Sequence, residues 1–257
     1  MSRFDNLEFD DQAHADVEQQ PSLKDESFHL TEANAAFAAG DFERALRYFA
    51  RALEYNALNP ASYAGQVRSL IELGEFAEAE KWAAKALEQF PRDAELLSAA
   101  AVALARQGQL DSAMAYSDAA VEARGNSPYL WLSRADVLLA RGEAAAEFCF
   151  EKALALARGD WFWHWLAARI RMFYRQFTAA WRILQVAAEA HAEQFILWLE
   201  LGRCQLALGM SARAAVSFNR ARELNPSCTA ARLGRMEATH AGIGARVRGA
   251  WRSLFGR

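Results

Sequence analysis

Apolar residues recur along residues 26–241 at the three- and four-residue spacing of amphipathic helices. These stretches alternate with short turns, most of which contain a glycine. Alanine is abundant, whereas the 257 residues include only 14 glycines and 5 prolines. Because alanine has the highest helix propensity, the pattern predicts an all-α chain in which successive helices pair across the turns.

A turn motif repeats through this region with a nearly constant period. Alanine follows most of the turns at the fifth and twelfth positions, as at Ala45 and Ala52. In the fourth unit, Ala146 and Ala153 come one residue early, which indicates a one-residue deletion. The turn markers are Gly40, Gly74, Gly108, Gly142, Arg175 and Gly209, with steps of 34, 34, 34, 33 and 34 residues. The sequence therefore predicts six helix-pair units, and Arg175 predicts a fifth turn that needs no left-handed residue.

The period and its residue types resemble the tetratricopeptide repeat (TPR) family over about residues 27–240. That family's signature runs aromatic, Leu, Gly or Ala, and Tyr on the first helix, then Ala, aromatic, Ala and Pro. The sixth unit matches it at Trp198, Leu201, Gly202, Ala214, Phe218, Ala221 and Pro226, and Tyr63, Trp131, Phe49 and Phe150 fill signature places elsewhere. The resemblance implies a right-handed α-solenoid of antiparallel helix pairs, closed by a capping helix over Cys228–Ala241.

The resemblance also implies that the first helix of each unit lines a concave groove. The residues 13, 10, 6 and 3 places before each turn marker should face it, and we call these four residues the concave stripe of the unit. In units four to six, this places an apolar wall in the groove with charged residues along one row. Trp, Tyr and Arg dominate binding hot spots, and a wall of this kind suits a partner helix or an extended peptide with an acidic group on an arginine. The expected contacts are Tyr129, Leu132, Asp136, Phe162, Trp165, Arg169, Met172, Leu199 and Arg203. On the first helix of unit five, the residues expected to face the core are His164, Ala167, Ala168 and Arg171.

Two alternatives remain open for this wall and for the function. A tight superhelix would bury the wall against neighbouring units or the chain's own tail. The expected function is a non-enzymatic adaptor, scaffold or chaperone-like protein in the cytoplasm. The alternative function is a structural, self-assembling or membrane-peripheral subunit, which would use the charged ends of the chain.

The charge distribution motivates that second function. Residues 1–150 hold 13 Lys and Arg against 25 Asp and Glu, and residues 151–257 hold 16 against 7. Residues 1–25 form an acidic tail predicted to be disordered, and residues 242–257 form a basic segment with an amphipathic spacing. The residues expected to dock this tail on a membrane surface, a partner or another copy are Trp251, Leu254, Phe255, Arg248 and Arg252.

Other classes of function have little support in the sequence. The five histidines are scattered without metal-ligand spacing, and no phosphate-binding loop or dinucleotide motif is present. No cofactor, metal or nucleic acid is therefore expected. A carboxylate clamp of the family type would need a basic residue where Leu30 stands beside Asn34. Three distant cysteines predict reduced thiols, and no apolar stretch is long enough for a membrane span.

Overall fold

The structure is a computed structural model that describes residues 25–123 and 125–240, whose regular secondary structure is entirely helical. A helix that we call α13 covers residues 229–240. The helices that precede it are α1 (Glu26–Ala38), α2 (Phe42–Tyr55), α3 (Pro60–Leu73), α4 (Phe76–Gln89), α5 (Ala94–Arg106), α6 (Leu110–Glu122), α7 (Pro128–Ala140), α8 (Ala146–Ala157), α9 (Trp161–Phe173), α10 (Phe177–Ala190), α11 (Phe195–Ala207) and α12 (Ser211–Leu224).

Consecutive helices form six pairs, which we number units one to six, from α1–α2 to α11–α12. Each pair packs on the next, and α13 follows the sixth. The predicted all-α, right-handed solenoid of antiparallel helix pairs is confirmed. Unit four differs locally from the others: α8 begins at Ala146, four residues after Gly142, and has 12 residues, whereas the other second helices begin two residues after their turn markers and have 13 or 14.

The six turns within units share one hydrogen-bond pattern. In each, a backbone N–H after the turn donates to a carbonyl five residues earlier, as Glu75 does to Leu70. Gly74 adopts φ 85°, the left-handed conformation that this C-terminal motif requires. Arg175 adopts the same conformation, with φ 58°. The expectation that the fifth turn needs no left-handed residue is wrong, because the hydrogen bond from Gln176 to Arg171 imposes it there as well.

Short polar side chains fix the beginnings of the first helices. The carboxylate of Asp25 accepts a hydrogen bond from the backbone N–H of Phe28, and that of Asp160 accepts one from Phe162. Asn59 and Ser127 cap α3 and α7, each directly before a proline at the first helical position. These caps satisfy backbone donors that the helix leaves free, so the start of each such helix is encoded locally.

Small residues let the helices approach, and aromatic rings fill the remaining space. Ala45 and Ala214 are fully buried between the two helices of their units. The ring of Phe49 lies so close to Gly65 that a Cβ there would come within 2.2 Å of it. Phe218 contacts Gly202 and Gly234 in the same way. One aromatic ring therefore joins its own unit to the next helix, which couples the units into one core.

Helix α9 keeps its predicted core face despite unusual residues. Ala167, Ala168 and Arg171 are buried, and His164 is half-buried. The guanidinium of Arg171 lies 3.9 Å from the centre of the Phe150 ring and donates to Glu147 and Gln176. An arginine thus covers the core in the place where the repeat pattern has an apolar residue.

The ends of the solenoid are described only in part. Helix α13 occupies the place predicted for the capping helix, with Arg232 and Glu237 exposed on it and Arg235 half-buried. Leu233 and Met236 are exposed as well, at 59% and 50%, so its outer surface is not purely polar. The predicted tails, 1–25 and 242–257, lie outside the described residues apart from Asp25. The residues expected to dock the basic tail, namely Trp251, Leu254, Phe255, Arg248 and Arg252, therefore stay a prediction.

We expect Gly65→Ala to destabilise the protein by about 1–3 kcal/mol, although alanine has the higher helix propensity. The added Cβ has no room beside the Phe49 ring. Urea unfolding followed by circular dichroism measures the effect. Adding Phe49→Ala should make Gly65→Ala much less costly, and a cost that is unchanged in that background would contradict the steric explanation.

We expect Arg175→Gly to stabilise the protein by about 1 kcal/mol, because glycine adopts the left-handed conformation without the steric cost of a Cβ. The matched control is Arg182→Gly, an exposed position within α10, which should cost about 1 kcal/mol. Thermal unfolding of both variants tests the sign, and equal losses of stability would contradict the assignment of strain at Arg175.

Candidate functional site

The concave interior of the superhelix is filled by the chain itself. Phe37 and Phe42 of unit one share a core cluster with Trp165, Ile196 and residues of unit six. Trp165 is fully buried; its ring stacks on Phe42 with centroids 6.1 Å apart and meets Phe37 edge-on at 6.3 Å. The expectation of an exposed aromatic wall is wrong at Trp165, and the alternative of a tight, self-burying superhelix describes this structure.

The predicted contact residues divide by exposure. Those fully or almost fully buried are Tyr129, Leu132, Asp136, Trp165 and Leu199. Those that keep some access to solvent are Phe162, Arg169, Met172 and Arg203. The first group cannot touch a partner in this conformation, because neighbouring units cover it. A role of either group in partner binding stays a prediction.

A chain of ion pairs runs through the interior and joins distant units. Arg169 donates to Glu72 of unit two at 2.7 Å and to Glu200 of unit six at 2.8 Å. The side chains of Glu72 and Glu200 are only 6% and 2% exposed. Arg203, at 44% exposure, donates to Glu200 as well. Arginine at position 169 was predicted to receive a partner's acidic group, but its two bonds to buried carboxylates already occupy it.

A second set of polar contacts ties units two, three, four and five. Arg106 donates to Asp136 at 2.7 Å, and the Tyr174 hydroxyl donates to the other oxygen of Asp136 at 2.6 Å. Arg68 pairs with Glu95 and lies 3.6 Å from the centre of the Tyr129 ring. Each of these contacts joins different units through a first helix or, for Tyr174, the residue that follows one, so they stabilise the curvature of the superhelix.

Sequence reasoning missed Glu72, Arg106 and Glu200. All three lie on first helices but off the stripe that the repeat register assigns to the groove. The available signal was Glu200, a charge at the place where unit two has Gly65 and unit three has Ala99. A charged residue at a helix-packing position predicts a buried ion pair, because burial of an unpaired charge is costly.

The environments of these groups shift their pKa values in defined directions. Burial, and then the negative charge of Asp136, raise the pKa of Tyr174 above its ordinary value. Burial opposes the charged form of Arg169, but Glu72 and Glu200 outweigh burial and raise its pKa. Burial raises the pKa of the Cys204 thiol to about 12. The interior thus keeps the arginine charged and the phenol and thiol neutral.

Within the described residues, three openings of several hundred Å³ remain around this packed interior. One of about 480 Å³ adjoins the ion pairs, and its lining includes Glu72, Arg106, Arg169, Met172, Glu200 and Arg203. The other two are used below. The one we call the aromatic pocket has a volume of about 380 Å³, and the one we call the junction pocket about 560 Å³. The aromatic pocket is lined by Leu30, Asn34, Phe37, Ala38, Phe49, Ala61, Ala64, Gly65, Arg68, Glu95, Asp160, Trp161, Phe162 and Trp163. The junction pocket lies between the α1–α2 turn and the beginnings of α11 and α13, around Asp41, Arg44, Arg203 and Ser227.

The aromatic pocket preserves part of the predicted groove. Residues of the concave stripes in units one, two, three and five line it together, among them Leu30, Asn34 and Phe162. Phe162 meets Trp161 and Trp163 edge-on, with centroids 6.1 and 4.9 Å apart. This arrangement presents apolar surface with a few polar groups, as ligand pockets do.

Two kinds of feature are absent from the described residues. In residues 25–123 and 125–240 no cluster of three or more His, Cys, Asp or Glu side chains is placed to hold a metal ion. Within the same ranges, no helix is long and apolar enough to cross a membrane. Asn34 has Leu30 beside it and Glu95 opposite in the aromatic pocket, so this surface does not favour a carboxylate.

We expect the protein to lose stability at alkaline pH because of the Tyr174 hydroxyl. The hydroxyl of Tyr174 stays protonated in the folded state above about pH 10, whereas the unfolded chain ionises there. The unfolded state then binds fewer protons, so the free energy of unfolding falls by up to about 1.4 kcal/mol per pH unit for this group. Tyr174→Phe should remove that part of the slope in urea titrations between pH 9 and 11, and the exposed Tyr55→Phe should keep it. Equal slopes for wild type and Tyr174→Phe would contradict the conclusion that the folded structure raises the pKa of Tyr174.

Comparisons with known proteins agree with this architecture. Residues 36–103 match the family model described as tetratricopeptide repeat. Yeast Tom70 is 16% identical with a TM-score of 0.54, and the alignment covers 88% of this chain and 48% of Tom70. A tetratricopeptide repeat protein from Parabacteroides merdae ATCC 43184 is 17% identical with a TM-score of 0.52, covering 87% and 88%.

The APC/C hetero-tetramer Cut9–Hcn1 is a third similar structure. It is 15% identical with a TM-score of 0.50, covering 86% of this chain and 44% of the other. This chain therefore spans about half the length of the Tom70 and Cut9–Hcn1 chains, and the likeness at these identities concerns the fold alone. No curated protein matches the sequence. The family match over residues 36–103, together with the 34-residue period and the six stacked helix pairs, identifies tetratricopeptide repeats in this chain.

Proposed function

We propose that this protein is a non-enzymatic scaffold that holds a segment of a partner protein in the aromatic pocket. The TPR fold in general is a scaffold for protein interactions. The observation that carries the finer proposal is the pocket itself, which four different units build from residues of the concave stripes. An adaptor or chaperone-like role follows from holding a partner segment. The three free cysteines favour a reducing compartment such as the cytoplasm.

The lining of the pocket supports an apolar anchor as the ligand. Trp161, Phe162 and Trp163 supply aromatic surface, and Leu30 supplies aliphatic surface. A volume of about 380 Å³ is at the small end for ligand pockets, which suits one or two large side chains of a peptide. This differs from the predicted acidic ligand, because the arginines that would receive it are paired internally.

The polar groups at the pocket support recognition of a peptide backbone. Asn34 is exposed and makes no hydrogen bond to another described residue, so its amide is free to donate to and accept from a peptide group. Arg68 and Glu95 neutralise each other in their ion pair. A neutral segment with an aromatic or aliphatic anchor is therefore the ligand that this pocket suits best.

Two features of the interior support a non-enzymatic role. The buried charged groups of the interior are committed to one another, as Arg169 is to Glu72 and Glu200. The buried thiol of Cys204 donates to the carbonyl of Phe177, and its raised pKa disfavours the reactive thiolate.

We expect Ala61→Trp to weaken the binding of peptide ligands by at least about tenfold, which corresponds to about 1.4 kcal/mol. Ala61 is exposed at the second position of α3 and lines the pocket, so a large side chain there occupies the space of the anchor. Peptides selected on the wild-type protein from a random-peptide phage library are the probe, and fluorescence anisotropy measures their affinity.

The matched control is Ala212→Trp, which places the same side chain at the exposed second position of α12, away from both pockets. It should bind the selected peptides as the wild type does. A library that yields no peptide, or peptides that bind Ala61→Trp and wild type equally, would overturn the assignment of the aromatic pocket.

A further inference from the structure

Helix α13 packs on unit six as the first helix of a further unit would. The ring of Phe218 lies so close to Gly234 that a Cβ there would come within 2.6 Å of it. Phe49 lies in the same way against Gly65, which belongs to the first helix of unit two. Helix α13 therefore continues the stacking pattern of the solenoid beyond the sixth pair.

One face of α13 has no second helix against it in the described part of the chain. Within unit six, the Phe218 ring of α12 also packs on Gly202 of α11, where a Cβ would meet it at 2.8 Å. The residue one 34-residue period after Gly202 is Met236, which is 50% exposed. Thr239 is exposed too, whereas Gln205, one period earlier, is buried. The side of α13 that corresponds to the α12-facing side of α11 is therefore uncovered.

Two buried polar atoms at this end of the solenoid also lack a partner among the described residues. The Nε of Arg235 on α13 and the Oδ1 of Asn219 on α12 make no hydrogen bond to any of them. Arg235 stands one period after Leu201, which is buried on α11. Because buried donors and acceptors are nearly always paired, this end is suited to a further segment that supplies such groups.

The chain that follows α13 has the length of a turn and a second helix. Residues 241–257 are enough for a short turn and a helix of the 12 to 14 residues that the second helices have. Gly242 lies 33 residues after Gly209, the same step that separates Gly142 from Arg175. A turn at Gly242 therefore keeps the register of the repeat.

The apolar positions of this segment match those by which a second helix packs. In unit one, the fifth, ninth and twelfth positions after Gly40 are buried and hold Ala45, Phe49 and Ala52. The same positions after Gly242 hold Val247, Trp251 and Leu254. Valine and leucine are larger than alanine, so this segment needs a wider spacing from α13. Met236 in the place of a glycine fits that wider spacing.

We infer that the exposed face of α13 around Met236 is a docking surface for residues 245–256 of the same chain. The apolar side of that segment, with Trp251 at its centre, covers Met236 and closes the end of the solenoid. An array of stacked units needs such a terminal segment, because its last apolar face has no neighbour to cover it. This inference goes beyond the proposed function, since it concerns the outer end of the superhelix and stands whether or not the aromatic pocket binds peptides.

The tether favours the chain's own segment as the occupant of this face. Only residues 241–244 separate α13 from the segment, and Gly242 and Gly244 among them suit a tight turn. A short link holds the segment near α13 at an effective concentration on the order of millimolar. A second copy of the protein reaches that concentration only in very concentrated solution.

Hydrogen exchange of the full-length protein, followed by mass spectrometry, tests this docking. A helix of about 12 residues is marginal on its own in water, so the backbone amides of residues 245–256 are protected only if the segment docks. We expect these amides to exchange at least about a hundredfold more slowly than in a synthetic peptide that copies residues 241–257.

Two variants disrupt the contact from its two sides. Met236→Asp places a charge on the surface of α13, and Trp251→Asp places one in the segment. Each should lower the protection of residues 245–256 at least about tenfold. The matched control is Val186→Asp at a 64% exposed position of α10, which should leave that protection unchanged. Unchanged exchange within α9 and α11 shows that each variant keeps the fold.

Three results would overturn the inference. The first is exchange of residues 245–256 in wild type as fast as in the peptide. The second is protection that Met236→Asp leaves as it is, because the segment then docks on another surface. The third is protection that falls as the protein is diluted, which would assign the face of α13 to a second copy.

Discussion

The bridge that Arg169 makes between Glu72 and Glu200 constrains the whole interior. It joins the second unit to the fifth and sixth across the axis of the superhelix. Both carboxylates are almost completely buried, so their charges need compensation: Arg169 pairs with Glu72, and Arg169 and Arg203 pair with Glu200. A shift of the superhelix toward a wider pitch would separate these charges, and the ion pairs therefore select one curvature among those that the helix pairs alone allow.

Small residues make this curvature available. Alanine between paired helices and glycine beneath the rings of Phe49 and Phe218 bring the helices close together. Close packing within units lets the solenoid wind tightly enough for unit one to reach Trp165. The concave surface is therefore divided, because aromatic side chains pack in its centre. Separate openings remain in place of one continuous groove.

Helix α9 both packs against unit one and adjoins two residues with left-handed backbone. The N- and C-terminal ends of α9 adjoin Arg158 and Arg175, both left-handed, and its middle carries Trp165 and Arg169. Interactions across the interior hold a helix whose own boundaries are unfavourable. Phe37 and Phe162 contact each other, with ring centroids 6.0 Å apart, and both line the aromatic pocket, so this pocket shares a side with the aromatic cluster around Trp165.

The sequence by itself determined the local features of this protein. Capping residues such as Asp160, the spacing of apolar positions and the 34-residue period establish the helices, their pairing and the number of units, because each depends on interactions within one or two units. It also assigned Leu30, Asn34 and Phe162 to the concave side, where they line the aromatic pocket. Tertiary structure alone decided that Trp165 is buried, that Arg169 is paired and that Arg175 is left-handed. Small rotations between units accumulate along a solenoid, and their sum decides which distant residues meet.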